Sequence, residues 1–218
     1  MAQSSRHVRC FTESDREAVC RIAADTAQYG DPVELILDDR RLFTDIFVRP
    51  YLDRCAETCW IAVVNETPAG YLTGCIDTHA CEPHFRRALG WAALRTLTGR
   101  YRLGLRILRA GIGYAREMIA QLPTADLQMY PAHLHINVAE EFRGQGLGRQ
   151  LMIAFLDQCR ALKVPGVHLS TSDQNVAALS LYHALGFEVL AQYRSPYKST
   201  VSRKPVDTVI MGLRLVQG

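Results

Sequence analysis

Three glycines, Gly144, Gly146 and Gly148, alternate with Gln145 and Leu147 between Arg143 and Arg149 in the stretch EEFRGQGLGRQL. The stretch follows an extended run, HLHINVA, and leads into RQLMIAFLDQCRALK, whose apolar residues recur at helical spacing. A glycine turn placed between a strand and a helix points several backbone N–H groups at one spot. The helix dipole favours a negative charge there, and the missing side chains let an anion come close. The spacing sets aside two well-known cradles. It lacks the Gly-Lys-Ser/Thr ending of a P-loop, and GxGxG is not GxGxxG. The acidic ribose-binding residue expected about 20 positions onward is also missing, because His168, Leu169 and Ser170 stand there.

The polar residues on either side fall into two alternating sets. Leu134, Ile136 and Val138 share one face of the extended run, so His133, His135 and Asn137 share the other. In VHLSTS, the apolar positions Val167, Leu169 and Thr171 alternate with His168, Ser170 and Ser172. With both polar faces on one cleft, His135 and His168 are the candidates to accept a proton, directly or through water. His133-x-His135 has no third ligand at a recognisable spacing, so no metal is expected. Asp77, closing GYLTGCID, is a further polar candidate.

These groups need a scaffold, and the patterning supplies one. TESDREAVCRIAADTA reads as a helix capped by Ser14 with Glu17 reaching back, carrying Val19, Ile22 and Ala23 inward. In DRRLFTDIFVRPYL, Leu42, Phe43, Ile46 and Phe47 share a face, and Pro50 ends or kinks the helix. TCWIAVV, NETPAG and YLTGCID read as an antiparallel hairpin. From residue 133 the order becomes strand, helix to Lys163, strand VHLSTS, helix NVAALSLYHAL, strand GFEVLAQY and a last strand, PVDTVIMGLRLV. Leu147, Leu151, Phe155 or Leu156, Cys159 and Leu162 form the stripe of the first of these helices. Gly186 stands where a left-handed cap is wanted. The expected class is α/β, with a parallel strand–helix–strand centre and antiparallel edges.

Residues 78–130 differ in character. From Pro83 to Arg116 there are eight arginines and no acidic residue, and Leu103, Ile107, Leu108 and Ile112 give partial helical periodicity. One or two helices are expected there, with arginines facing water, an anionic substrate or an acidic membrane surface. The whole chain has 218 residues, enough for one domain with an insertion, and is 48% hydrophobic and 22% charged. Its net charge of +3 is too small to point to nucleic acid. No apolar run reaches the roughly 18 residues of a membrane span, and MAQSSRHVRC lacks a signal-peptide core. Seven cysteines without a CxxC pair suggest neither a disulfide framework nor a zinc ribbon, so a reduced cytoplasm is the expected setting. Asn65-Glu66-Thr67 reads as a turn rather than a glycosylation site.

Arg143-x-x-Gly146-x-Gly148 resembles the Q/R-x-x-G-x-G/A signature of the GNAT N-acetyltransferases, which holds the pyrophosphate of acetyl-CoA. The resemblance continues in NVAALSLYHALGF, with Asn175 and Tyr182 at the family's spacing, and is firm over residues 132–193. The flanks GDPVELILDDRRLFTDIFVRPYL, GYLTGCID and YPAHLHI resemble the acetyltransferase-like domain of O-GlcNAc hydrolases and its free-standing bacterial relatives. The resemblance implies a single GNAT-like domain over residues 1–218. Its mixed sheet would have splayed parallel strands flanked by helices, with residues 78–130 as a helical insertion before the cofactor-binding strand.

It also implies roles. The backbone of Gly144, Gln145, Gly146, Leu147, Gly148 and Arg149, with Arg143, would hold the pyrophosphate. Ile136, Asn137 and Val138 would bond the pantetheine arm and the acetyl oxygen, with Asn175 beside it. Tyr182 resembles the general acid for the departing thiolate. Many members carry a glutamate base where this chain has Ser170, which leaves His135 or His168 to take the amine proton. The implied activity is acetyl transfer from acetyl-CoA to a primary amine by direct attack in a ternary complex. The alternative is an inactive pseudo-acetyltransferase that binds acetyl-CoA or a partner, although such versions tend to have lost the glycine turn. A homodimer is left open.

Overall fold

A computed structural model describes residues 5–28, 30–102 and 104–215. Seven strands form one sheet in the order β1-β2-β3-β4-β5-β7-β6. The strands are β1 (Arg6–Cys10), β2 (Trp60–Val64), β3 (Thr67–Cys75), β4 (Ala132–Val138), β5 (Gly166–Ser172), β6 (Glu188–Arg194) and β7 (Asp207–Arg214). All neighbouring pairs are antiparallel except β4 with β5. That pair is joined only at Ala132↔Val167 and His133↔His168, beyond which the two strands part. β4 stays paired to β3 as far as Val138, so the opening lies wholly on the β5 side.

α6 (Leu147–Ala161) lies on one face of the sheet, burying Leu147, Leu151, Phe155, Leu156 and Cys159 as its spacing requires. Leu162 is 52% exposed, because the helix ends one residue before it and the chain turns outward. Phe155 is admitted by Gly74, where a Cβ would collide with the ring. On the opposite face α1 (Arg16–Asp25) and α3 (Arg49–Arg54) cover Ile61, Val63 and Tyr71. The α1 entry differs from the expected Ser14–Glu17 pair. Thr12 is the cap and Asp15 its reciprocal partner, one short turn earlier, with Asp15 also holding Arg9. α2 (Arg40–Phe47) stops at Val48, and Pro50 opens α3, where its missing N–H costs nothing. Phe47 is 43% exposed rather than packed with Leu42.

The hairpin turns on Asn65 and Glu66, both with positive φ. The arginine-rich segment forms α4 (Thr78–Leu97) and α5 (Leu105–Ile119). Ala92, Tyr101 and Ala110 join Val33, Ile36 and Leu42 in a separate small core. Leu108 (62% exposed) and Ile112 face outward, and Leu103 lies outside the described residues. The arginines stand at the surface, Arg109 being partly covered, and Arg95 and Arg106 pair with Asp45 and Asp38. α7 (Val176–Ala184) ends on Gly186, whose φ of 88° is the expected left-handed cap. A further helix, α8 (Pro196–Ser202), has no counterpart in the sequence reading.

Cysteine chemistry also departs from expectation. Cys75 at the end of β3 and Cys81 in the first turn of α4 are bonded, and Cys55 Sγ lies 3.3 Å from Cys81 Sγ. No spacing motif announces this pairing, because it is the fold that brings a strand end onto a helix start. Burial raises the thiol pKa of Cys55 to about 11 and of Cys59 to about 12, leaving both protonated near neutrality. No helix of the described residues is long and apolar enough to cross a membrane.

Candidate active site

The glycine turn has the geometry that anion binding requires. Gly144 and Gly146 adopt φ of 74° and 79°, and Gly146 is the N-cap of α6. The first-turn N–H groups of α6 have no intrahelical acceptor and face a cavity of about 310 Å³. Gly148 is different: a Cβ there would meet Leu181 at 3.5 Å, an ordinary contact, so alanine fits equally well.

Ile136, Asn137, Val138, Arg143, Gly144, Gly146, Leu147, Gly148 and Asn175 all line this cavity, whereas Gln145 and Arg149 do not. Gln145 turns back to donate to the Glu141 carbonyl, and Arg149 is exposed. The Arg143 side chain serves the loop instead of the cavity floor. Its Nη2 donates to Gly30 O at 2.9 Å and its Nε to Val138 O at 3.3 Å. Asn175 caps α7 by accepting from Ala178 N while still facing the cavity.

A second cavity, also about 310 Å³, opens on the other side of the strand splay. His135, Ser170 and Ser172 line it, with Tyr71, Phe43, Phe47 and Lys198. Four residues line both cavities: Ile136, Asn137, Asn175 and Tyr182. The two spaces therefore meet where β4 has lost its β5 partner, and Tyr182 stands at that meeting point. Its side chain is 6% exposed, its ring packs on Phe187 with centroids 5.9 Å apart, and burial raises its phenol pKa. A larger cavity of about 430 Å³ between α3 and α4, near Arg49, Arg87 and Trp91, includes none of these residues.

The histidines separate by their partners. Tyr51 OH lies 2.6 Å from His133 Nε2, and Thr78 Oγ1 lies 2.7 Å from Nδ1. Thr78 spends its own proton on Pro131 O, so it must accept from Nδ1–H, and Nε2 accepts from Tyr51. His133 is thus a neutral, fully bonded core imidazole, and burial followed by the charges of His135 and His168 lowers its pKa to about 3. His168 is also committed. Its Nδ1 lies 2.7 Å from Tyr130 O, and it does not line the second cavity, contrary to its expected place in the cleft. His135 is exposed to the cavity, and among the described residues none hydrogen-bonds its ring. Its pKa is lowered by the protein around it and then by His168, which keeps the imidazole neutral. Asp77 caps α4, accepting from Ala80 N, and is absent from both cavities.

A stability prediction follows from His133. The folded pKa lies below the unfolded value of about 6.5, so the unfolded chain binds the extra proton. Stability is then fully present above about pH 6.5 and declines as pH falls toward 3. The decline should reach about 1.4 kcal/mol per pH unit per such histidine. Urea unfolding from pH 7 to 5 should show it, and His133→Gln should flatten the slope; an unchanged slope refutes the assignment.

Residues 127–187 match the acetyltransferase (GNAT) family. The ribosomal protein bS18-alanine N-acetyltransferase of Escherichia coli strain K12 is 34% identical over 79 residues, covering 36% of this chain and 52% of that protein. The chain thus spans about half the length of the curated relatives it matches. The crystal structure of SsHAT superposes with a TM-score of 0.74 at 27% identity, covering 98% of this chain and 100% of that one. The structure of yncA from Salmonella typhimurium with its cofactor acetyl-CoA gives a TM-score of 0.59 at 18% identity, over 98% and 95% of the two chains. The strand splay and the glycine-capped helix thus both lie within residues 127–187, the segment that matches the acetyltransferase (GNAT) family.

Proposed function

We propose that the chain transfers the acetyl group of acetyl-CoA to a primary amine by direct attack within a ternary complex. The observation that carries this reading is the meeting of two cavities at Tyr182, one walled by the glycine turn and one by His135. The donor lies along the splay, with its pyrophosphate on the first turn of α6 and its acetyl oxygen bonded by backbone groups of Ile136 to Val138. The acceptor enters from the second cavity. Its nitrogen attacks the acetyl carbon, the carbon–sulfur bond breaks, and the thiolate takes the Tyr182 phenolic proton. His135, neutral and facing the cavity, accepts the proton shed by the amine, directly or through water.

Ser170 and the lack of any carboxylate among the described residues of the second cavity favour a second reading, a domain that binds acetyl-CoA without turnover. Calorimetry with acetyl-CoA and a thiol-release assay over a broad amine panel separate the two. Binding with release supports the enzyme, and binding without release across the panel supports the inactive module. No binding at millimolar acetyl-CoA removes both.

A further inference from the structure

The acceptor cavity holds one fixed cation and no fixed anion. Among the described residues that line it there is no Asp, Glu or Arg, and Lys198 is the one lysine. Two hydrogen bonds hold Lys198 there, and Glu117 braces the turn that carries it. Its ammonium donates to Thr171 O on β5 at 2.8 Å. Its backbone N–H donates to Oγ of Ser195, the fully buried N-cap of α8. Glu117, from α5, accepts from the Tyr197 N–H at 2.9 Å and from Ser195 Oγ, which fixes the same helical turn. The lysine therefore has little freedom to swing into solvent.

Its single bonded partner is a neutral carbonyl, so two ammonium protons remain for a ligand. Burial lowers its pKa to about 8 against the opposing charges of Glu117 and Asp173, which leaves it charged at neutral pH. A half-enclosed ammonium bonded only to a carbonyl gains most from an anion that replaces its lost water. One cation balances a carboxylate, whereas a phosphate dianion would leave a charge uncompensated. Beside the lysine, Ile36, Phe43, Phe47, Val48 and Tyr197 make an apolar wall.

We propose that the acceptor is an amine bearing a carboxylate and an apolar side chain, and that Lys198 recognises the carboxylate. The proposal rests on the acetyl-transfer reading and adds to it the chemical class of the acceptor.

The test uses binding of product-like pairs to the CoA-saturated protein, so that it does not depend on turnover. Calorimetry compares N-acetyl-L-phenylalanine with N-(2-phenylethyl)acetamide, which lacks only the carboxylate. N-acetyl-L-leucine is compared with N-(3-methylbutyl)acetamide in the same way. The carboxylate member of each pair should bind about ten- to a hundredfold tighter, the range of a charged hydrogen bond. Lys198→Met should abolish the preference while leaving CoA affinity unchanged, and Lys198→Arg should retain most of it. Should the methionine variant melt early, Lys198→Gln keeps a donor for Thr171 O while removing the charge, and it should lose the preference too. Equal affinity within both pairs, no binding by either carboxylate, or a preference that survives Lys198→Gln overturns the proposal. Failure of CoA itself to bind would instead remove the underlying acetyl-transfer reading.

Discussion

Tyr182→Phe should slow acetyl transfer by roughly 10²- to 10⁴-fold, the usual worth of a positioned general acid, while acetyl-CoA affinity stays within a few-fold of the parent. The substitution removes one oxygen and keeps the ring that packs on Phe187 and closes the end of both cavities. Core volume is nearly conserved, so the melting temperature should move by no more than a few degrees. Burial raises the phenol pKa, so the hydroxyl keeps its proton near neutrality. Thiol release under saturating donor measures the rate, and calorimetry measures the donor affinity. Equal loss in both would make Tyr182 a packing residue and move the acid elsewhere.

Gly146→Val should weaken acetyl-CoA binding by roughly ten- to a hundredfold, and the cause can be isolated. A Cβ at Gly146 meets nothing within 4 Å, so steric collision is not the reason. The reason is φ of 79°, where a β-branched residue is strained by about 1–3 kcal/mol. Relief of that strain rotates the peptide units that present the first N–H groups of α6 to the pyrophosphate. Asparagine tolerates the left-handed region, so Gly146→Asn should stay within a few-fold of the parent by calorimetry. If asparagine and valine cost the same, side-chain bulk at the anion is responsible, and the strain account fails.

How far these features were legible from sequence depended on whether the signal was local. The alternation in HLHINVA and VHLSTS placed polar and apolar faces correctly, since period-two patterning follows directly from the pleat. Gly144, Gly146 and Asn175 were likewise readable as turn and cap residues, because turn chemistry and helix capping are written within a few residues, whereas Tyr182 stood out only through the family resemblance. What escaped depended on distant partners. PYKSTVS has little apolar periodicity, and the first turn of α8 is braced by Glu117, 80 positions before Tyr197. Lys198 therefore lay outside any motif although it faces the acceptor cavity. His168 looked equivalent to His135 by alternation, yet the chain before β4 supplies a carbonyl that takes its proton. The exposed Leu108 and Ile112 fit helical spacing but lie on a face that no element among the described residues covers. Cys75 and Cys81 had no spacing signature, and Asp77 was already committed to opening α4.

The contact between Glu117 and the start of α8 has a consequence for how the two cavities can be changed separately. The donor cavity is walled mainly by residues 136–182, whereas Lys198 in the acceptor cavity is set by a helix braced from residues 78–130. The two halves of the site therefore draw on different parts of the chain. On the proposed reading, substitutions at Glu117 should change acceptor binding while leaving acetyl-CoA affinity unchanged, much as a lock keeps its housing when its pins are recut. On that reading Glu117 is the residue through which residues 78–130 act on the second cavity.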